Sequence, residues 1–255
     1  MPSPVRTETV TIASGDTDIL AYLAEPAQPG QFGAVVLLPE VFGVNSHIRA
    51  VAERLAAAGY VVMAPHIYHR QAPGFEVGYT AADLELGRRY KQGTTAPELL
   101  ADVEGAISAL YSKPNVLPGG VGCIGFCFGG HVAYLAATLP QIKATAAFYG
   151  AGIATMTPGG QGSDATTLSR TPAIKGTLYG FFGEKDPLIP AAEVDQIEAA
   201  LTAHGVPHQI FRYPEADHGF FCDQRPSYHP EAARHAWQQV LHLFKTTLPA
   251  PAPQA

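Results

Sequence analysis

The stretch GGVGCIGFCFGGHVAYLAA, Gly119–Ala137, decides the fold. Gly120 to Ile124 reads as a short buried strand, and Gly129 to Thr138 carries apolar residues at helical spacing. Between them, Gly-Phe-Cys-Phe-Gly-Gly matches the strand-to-helix elbow G-x-S-x-G, with Cys127 in the serine position. The demand behind that pattern is steric. A nucleophile on so tight a turn has strained backbone angles, and the residues two before and two after it must be nearly free of side chain. Gly125 and Gly129 meet that demand. The turn also sets the thiol at a helix N-terminus, where unpaired N–H groups and the helix dipole favour a thiolate. Glycine-rich strand-to-helix turns also bind phosphate, and free cysteines are often buried for packing. Phosphate loops, however, need G-x-G-x-x-G in a first βαβ unit or a trailing Gly-Lys-Ser/Thr, and neither is present. Cys123, inside the apolar strand, is expected to be inert.

Outward from the elbow, buried strands alternate with helices. Towards the N-terminus, Glu8 to Ile12 and Ile19 to Leu23 flank a Gly-Asp turn and read as an antiparallel hairpin. FGAVVLLPE, residues 32–40, is a continuous apolar run expected of a strand covered on both faces. HIRAVAERLAAAGY then reads as a helix stopping at Gly59, and YVVMAPHIY as the next strand. Helices are expected from Ala81 to Tyr90 and from Thr95 to Tyr111, the second opened by a capping box of Thr95 and Glu98. After the elbow come strands at Lys143–Phe148, Gly176–Phe182 and His208–Tyr213, with helices at Ala191–His204 and about His229–Lys245. Residues 151–173, rich in Gly, Ser, Thr and Pro, read as a long loop over a strand end, and long ordered loops are usually functional. This alternation implies an α/β fold with a mainly parallel central sheet and helices on both faces. No linker or internal repeat divides the chain, so residues 1–248 are expected to form one domain, with 249–255 a Pro/Ala-rich tail.

A thiol nucleophile needs a base, and the base an orienting acid. LYGFFGEKDPLIP ends a buried strand with Asp186 on a Gly-to-Pro turn, and FRYPEADHGF does the same with His218. Each lies just past the carboxyl end of a strand, where such sheets bind ligands. The chain order is nucleophile, acid, base. Singly, Asp186 could be a turn former and His218 a loop residue; with the elbow, the three form a candidate Cys-His-Asp triad.

On these residues the sequence resembles the dienelactone hydrolase (carboxymethylenebutenolidase) family of the α/β-hydrolase superfamily. GFCFGG, GEKDPLIP, YPEADHGF and the early LLPEVFGVNSHIRAVAERLAAAGYVVMAPHIY carry the likeness over nearly the whole chain. It implies that Cys127, Asp186 and His218 are nucleophile, acid and base. It also implies that Glu40, after the third strand, interacts with the thiol and helps switch it towards thiolate. The oxyanion hole falls on the backbone N–H groups of Val41 and Phe128. Physics supports the second: the residue after an elbow nucleophile begins the helix, so its N–H points at the developing charge.

The pattern departs from the family at the substrate's carboxylate. Archetypal members hold a carboxylate-bearing lactone with two arginines, one upstream near a tyrosine and one four residues after the histidine. Here that second position is Cys222, and the nearest downstream arginine is Arg225. Upstream, Arg88, Arg89 and Tyr90 occupy a similar region. These four are the candidate substrate-binding residues. Phe126, Phe148, Tyr149 and Phe220 could line an apolar pocket. The pairs His66/His69 and His204/His208 have ligand-like spacing but join no Cys/Asp/Glu constellation, so no metal is expected, nor any organic cofactor.

Bulk properties narrow the function classes further. Of 255 residues, 47% are hydrophobic and 15% charged, which excludes a disordered chain. A net charge of −6 gives no basic footprint for nucleic acid and no cationic patch for an anionic membrane. No apolar run is long enough to span a bilayer, and MPSPVRTETVTIASG has no basic n-region followed by an apolar core, so it is not expected to act as a secretory signal. Three cysteines without framework spacing fit a reducing compartment, so the protein is expected in the cytoplasm. The reading is cysteine-dependent hydrolysis of a small-molecule lactone or ester. The competing readings are a thiol-reactive redox sensor built on Cys127 and a non-catalytic ligand-binding member of the fold.

Overall fold

The computed structural model describes residues 4–159 and 165–249. In chain order the strands are β1 (Val5–Ser14), β2 (Thr17–Pro26), β3 (Phe32–Leu38), β4 (Tyr60–Pro65), β5 (Val116–Phe126), β6 (Ile142–Phe148), β7 (Thr177–Gly183) and β8 (His208–Tyr213). The helices are α1 (Ser46–Ala57), α2 (Ala81–Gln92), α3 (Ala96–Tyr111), α4 (Phe128–Ala136), α5 (Ala191–Ala203) and α6 (Pro230–Thr247). One eight-stranded sheet runs β1-β2-β4-β3-β5-β6-β7-β8. β1/β2 and β2/β4 are antiparallel and every later pair is parallel, so the sheet is mainly parallel as the alternation implies.

The central strands divide the core in two by their period of two. Val35 and Leu37 of β3 join Ile124 and Phe126 of β5 on one face, against Val51 and Leu55 of α1 and Val240 and Leu243 of α6. Ala34, Val36 and Leu38 join Val121 and Cys123 on the other, against Leu99, Val103 and Ile107 of α3. Every residue of β3 is buried, which is why its sequence is continuously apolar. Each large aliphatic side chain so buried contributes about 1.5–3 kcal/mol. Capping boxes hold the starts of α2 (Thr80/Asp83) and α3 (Thr95/Glu98).

Three elements differ from the sequence reading. The hairpin strands reach Val5–Ser14 and Thr17–Pro26, because exposed polar residues of β1 continue the pairing beyond the alternating runs. β5 starts at Val116, paired with Phe32 across a register shift; Pro118, Gly119 and Gly120 hide that extension from any periodicity. The stretch 151–173 contains a 3₁₀ segment, Thr167–Ala173, anchored by Leu168 N–H donating to the Ile153 carbonyl at 2.9 Å. Residues 160–164 of that stretch, and 250–255 of the expected tail, lie outside the described residues. Among the described residues no helix is long and apolar enough to cross a membrane.

The order of strands fixes where a site can form. From β3 the chain moves to β4 on one side, whereas β5 opens the run β6-β7-β8 on the other. Ligands bind such sheets at this switch, beyond the strands' carboxyl ends. Leu38 and Gly125 are partners at the ends of β3 and β5, which brings Glu40 and Cys127 together there.

Candidate active site

Cys127 stands between β5 and α4 with φ 55° and ψ −116°, a conformation L-residues rarely adopt. The glycines make the turn possible by absence of bulk. A Cβ on Gly125 would stand 1.9 Å from the Gly129 carbonyl oxygen, and one on Gly129 would stand 2.3 Å from that of Leu38. The Cys127 N–H donates to the Phe148 carbonyl at 3.1 Å, and its own carbonyl accepts from Gly130 at 2.9 Å as the helix begins. The strained turn is thus held on both sides.

Asp186 and His218 are brought together by the turns after β7 and β8. Glu184 N–H donates to the Tyr213 carbonyl at 2.9 Å, and Lys185 N–H to that of Ala216 at 3.0 Å. Between these bonds, Gly183 lets the segments touch, since a Cβ there would stand 2.3 Å from the Ala216 oxygen. Asp186 Oδ2 meets His218 Nδ1 at 2.7 Å, while its Oδ1 accepts the Leu188 N–H at 2.8 Å. The carboxylate is therefore buried and engaged at both oxygens. Tyr149 packs its ring edge-on to His218 at 5.2 Å and Phe220 lies behind Tyr149, giving the imidazole an apolar wall. Nε2 of His218 is buried without a conventional hydrogen-bond partner among the described residues. Such bonds often tighten only with substrate bound.

The electrostatics couple His218 to Cys127. Burial pushes the thiol up, but the charge of His218 and its contact with the sulfur outweigh it; Glu40 opposes and Arg225 assists, and the net direction is down. Burial disfavours the His218 imidazolium, yet the Cys127 charge and the hydrogen bond to Asp186 push it up to about 10. Both directions favour a thiolate–imidazolium pair. Cys123 behaves oppositely, its thiol pushed up by burial alone.

Glu40 is fully buried past β3. Its Oε1 accepts from Arg225 at 2.9 Å, and its Oε2 has no partner among the described residues. The Arg225 guanidinium lies 5.7 Å from the Phe42 ring centroid and 5.8 Å from that of Tyr79. Cys222, four residues past His218, is buried and donates to Tyr79 Oη at 3.2 Å. Burial pushes that thiol up to about 11.

A cavity of about 540 Å³ opens above these groups, lined among others by Val41, Cys127, Phe128, His218 and Arg225. The Phe128 N–H begins α4, where a helix leaves its first amides unpaired. Among the described residues the Val41 N–H donates to no backbone carbonyl. Arg88 lines the cavity; Arg89 and Tyr90 are not among its lining residues. Tyr90 instead packs on Phe75 at 4.7 Å, behind Tyr68 and Phe128. The aromatic candidates Phe126, Phe148, Tyr149 and Phe220 are all core, and none is among the cavity's lining residues. Lining residues that sequence reasoning missed include Lys91, Phe42, Tyr79, Leu84 and Leu188. Lys91 had a signal, standing one turn from Arg88 on α2; its Nζ lies 5.2 Å from the Phe128 centroid. His66/His69 and His204/His208 join no metal-competent group among the described residues.

A mainly parallel sheet, a cysteine on a strand-to-helix elbow, and a histidine–aspartate pair beyond later strands define an α/β-hydrolase. The model of the "Dienelactone hydrolase family" matches residues 19–248. A 54% identical relative from Synechocystis sp., described as a "Putative carboxymethylenebutenolidase", covers 97% of this chain and 100% of its own. One of the same description from Yersinia pestis is 34% identical over 92% of this chain and 86% of its own. Among solved structures, a "Putative Dienelactone Hydrolase" from Klebsiella pneumoniae superposes with a TM-score of 0.83 at 30% identity, covering 95% of this chain and 99% of that one. The chain belongs to the dienelactone hydrolase family, and so to the hydrolases of carboxylic ester bonds.

Proposed function

We propose that the protein hydrolyses a small lactone or ester through Cys127, His218 and Asp186. The observation that carries this reading is the 2.7 Å Asp186–His218 bond beside a thiol whose titration is lowered by that histidine. The Cys127 thiolate attacks the carbonyl carbon, and the carbonyl electrons move onto oxygen, facing the Val41 and Phe128 amides. Collapse breaks the C–O bond, and the His218 imidazolium gives its proton to the departing oxygen. His218, held by Asp186, then takes a proton from water, which attacks the thioester and releases the acid. Every proton is returned within the cycle, and no bound metal or organic cofactor enters it.

Glu40 is proposed to tune the thiol from behind, its charge balanced by Arg225. The carboxymethylenebutenolidase descriptions of the relatives support a lactone. Arg88 and Lys91 at the rim support an anionic group on it; Arg225 is proposed to serve Glu40 rather than the substrate, and Arg89 and Tyr90 have no contact role in this reading. The test is a panel of cis- and trans-dienelactones, small neutral lactones and p-nitrophenyl esters against the wild type and Cys127→Ala. The expected result is turnover by the wild type and a loss on the order of 10⁴-fold or more in the variant. Equal rates on every member would overturn the reading.

A further inference from the structure

Behind the proposed nucleophile lies a second cluster, which shares Glu40 with the hydrolytic site but whose His47 and Cys222 the proposed hydrolysis does not use. Glu40, His47 and Cys222 each bring one donor atom within 4.8 Å of the other two. All three are buried, with His47 3% exposed and the others not at all. Two of the donors are unpaired among the described residues: Glu40 Oε2 and His47 Nε2. Burying a polar group without a partner costs free energy, so two such atoms converging beside a thiol call for a shared ligand.

We propose that Glu40, His47 and Cys222 form a binding site for a borderline divalent cation such as Zn²⁺. The donor set is one carboxylate oxygen, one imidazole nitrogen and one sulfur, which suits Zn²⁺ or Co²⁺ and not the oxygen-seeking Mg²⁺ or Ca²⁺. Bonds of roughly 2.0–2.3 Å put tetrahedral ligands about 3.3–3.8 Å apart, so the cluster closes by no more than about 1.5 Å. The unpaired atoms assign the roles. Oε2 binds the cation while Oε1 keeps its 2.9 Å bond to Arg225. Nε2 binds while Nδ1 faces the Asp223 carboxylate at 3.9 Å, the kind of outer carboxylate that orients metal-bound histidines. Cys222 loses its proton to solvent on binding and gives up its bond to Tyr79, so two anionic ligands face the dication and Arg225 together, leaving one net positive charge. Tyr79 and Arg225 line the substrate cavity and mark the way in. The ligands come from residues 40, 47 and 222, and no spacing motif announces them.

Cobalt titration of chelator-treated protein tests this, using the wild type, Cys127→Ala, Cys222→Ser and His47→Gln, with circular dichroism to check folding. The expected result is one equivalent of Co²⁺ bound by the wild type, with a sulfur-to-cobalt charge-transfer band in the near ultraviolet that Zn²⁺ displaces. Cys127→Ala retains the band, Cys222→Ser loses it, and His47→Gln weakens affinity at least tenfold. Absence of the band from the wild type overturns the proposal. So does its loss in Cys127→Ala with retention in Cys222→Ser, which would place the cation on the elbow cysteine. If Cys222→Ser does not fold, unchanged affinity in His47→Gln is the overturning result.

Discussion

The two sides of the β3/β5 switch handle buried charge differently. On the β7–β8 side, Asp186 spends one oxygen on His218 and the other on a backbone amide, and the histidine sits in an apolar wall. On the β3 side, Glu40 pairs through one oxygen only and its second oxygen is left unpaired among the described residues. Closed pairing fixes one geometry, which proton transfer requires. Open valences leave room to exchange partners, which tuning of a thiol or capture of a cation requires. The carboxyl ends of the strands therefore carry a closed Asp186–His218 pair and an open charge cluster around Glu40.

The largest effect should come from loosening the closed side. Asp186→Asn keeps the shape but removes the charge that supports the imidazolium and offers His218 the wrong hydrogen-bonding pattern. We expect kcat/KM to fall on the order of 10³-fold. The pH dependence has a fixed sign. His218 lowers the Cys127 thiol and Asp186 raises His218, so removing Asp186 must raise the thiol. Alkylation of Cys127 by iodoacetamide, which follows the thiolate, should in the wild type reach half its limiting rate below pH 9.0, the ordinary thiol value, and shift alkaline in the variant. An acid-ward shift would mean that the two residues are not linked as their geometry implies.

The open side should reveal itself in stability more than in rate. Arg225→Gln leaves Glu40 fully buried with a charge and no ionic partner, a change expected to cost about 3–5 kcal/mol. Urea unfolding measures it. The double variant with Glu40→Gln should recover most of the loss, because the stranded charge is then gone. If both variants lose equally, Arg225 matters through its packing on Phe42 and Tyr79 rather than through the ion pair.

How far sequence reaches into this site follows from the same contrast. Cys127, Asp186 and His218 are legible because each stands at the carboxyl end of a strand, and strand ends are marked by local signals: glycines around the elbow, a Gly-to-Pro turn, a Pro-Glu-Ala-Asp-His loop. The mainly parallel sheet is legible for a similar reason, since doubly covered strands such as β3 are continuously apolar. The Glu40–Arg225 pair joins residues 185 apart in the chain, and nothing local in either segment points to the other. Cys222 reads as a departure from the family, whereas its bond to Tyr79 depends on how two loops pack. Arg88 and Arg89 are adjacent in sequence, but successive helical residues diverge by about 100°. Only Arg88 reaches the cavity, and Lys91 on the same face joins it.

That rim pair bears the smallest expected effect and separates charge from packing. Arg88 is exposed, and exposed ionic contacts contribute little, about 0–1 kcal/mol each. Arg88→Ala and Lys91→Ala should therefore raise KM for a carboxylate-bearing lactone by roughly two- to fivefold each, leaving kcat and neutral lactones nearly unchanged. Added salt should shrink the wild-type advantage on the charged substrate, because the rim lies in solvent where screening is effective. Lys91 carries the sharper comparison, since its ammonium lies over the Phe128 ring, beside the amide proposed for the oxyanion hole. If Lys91→Ala lowers kcat on neutral and charged substrates alike while Arg88→Ala does not, Lys91 acts by holding Phe128 in place. The rim then selects substrates through Arg88 alone.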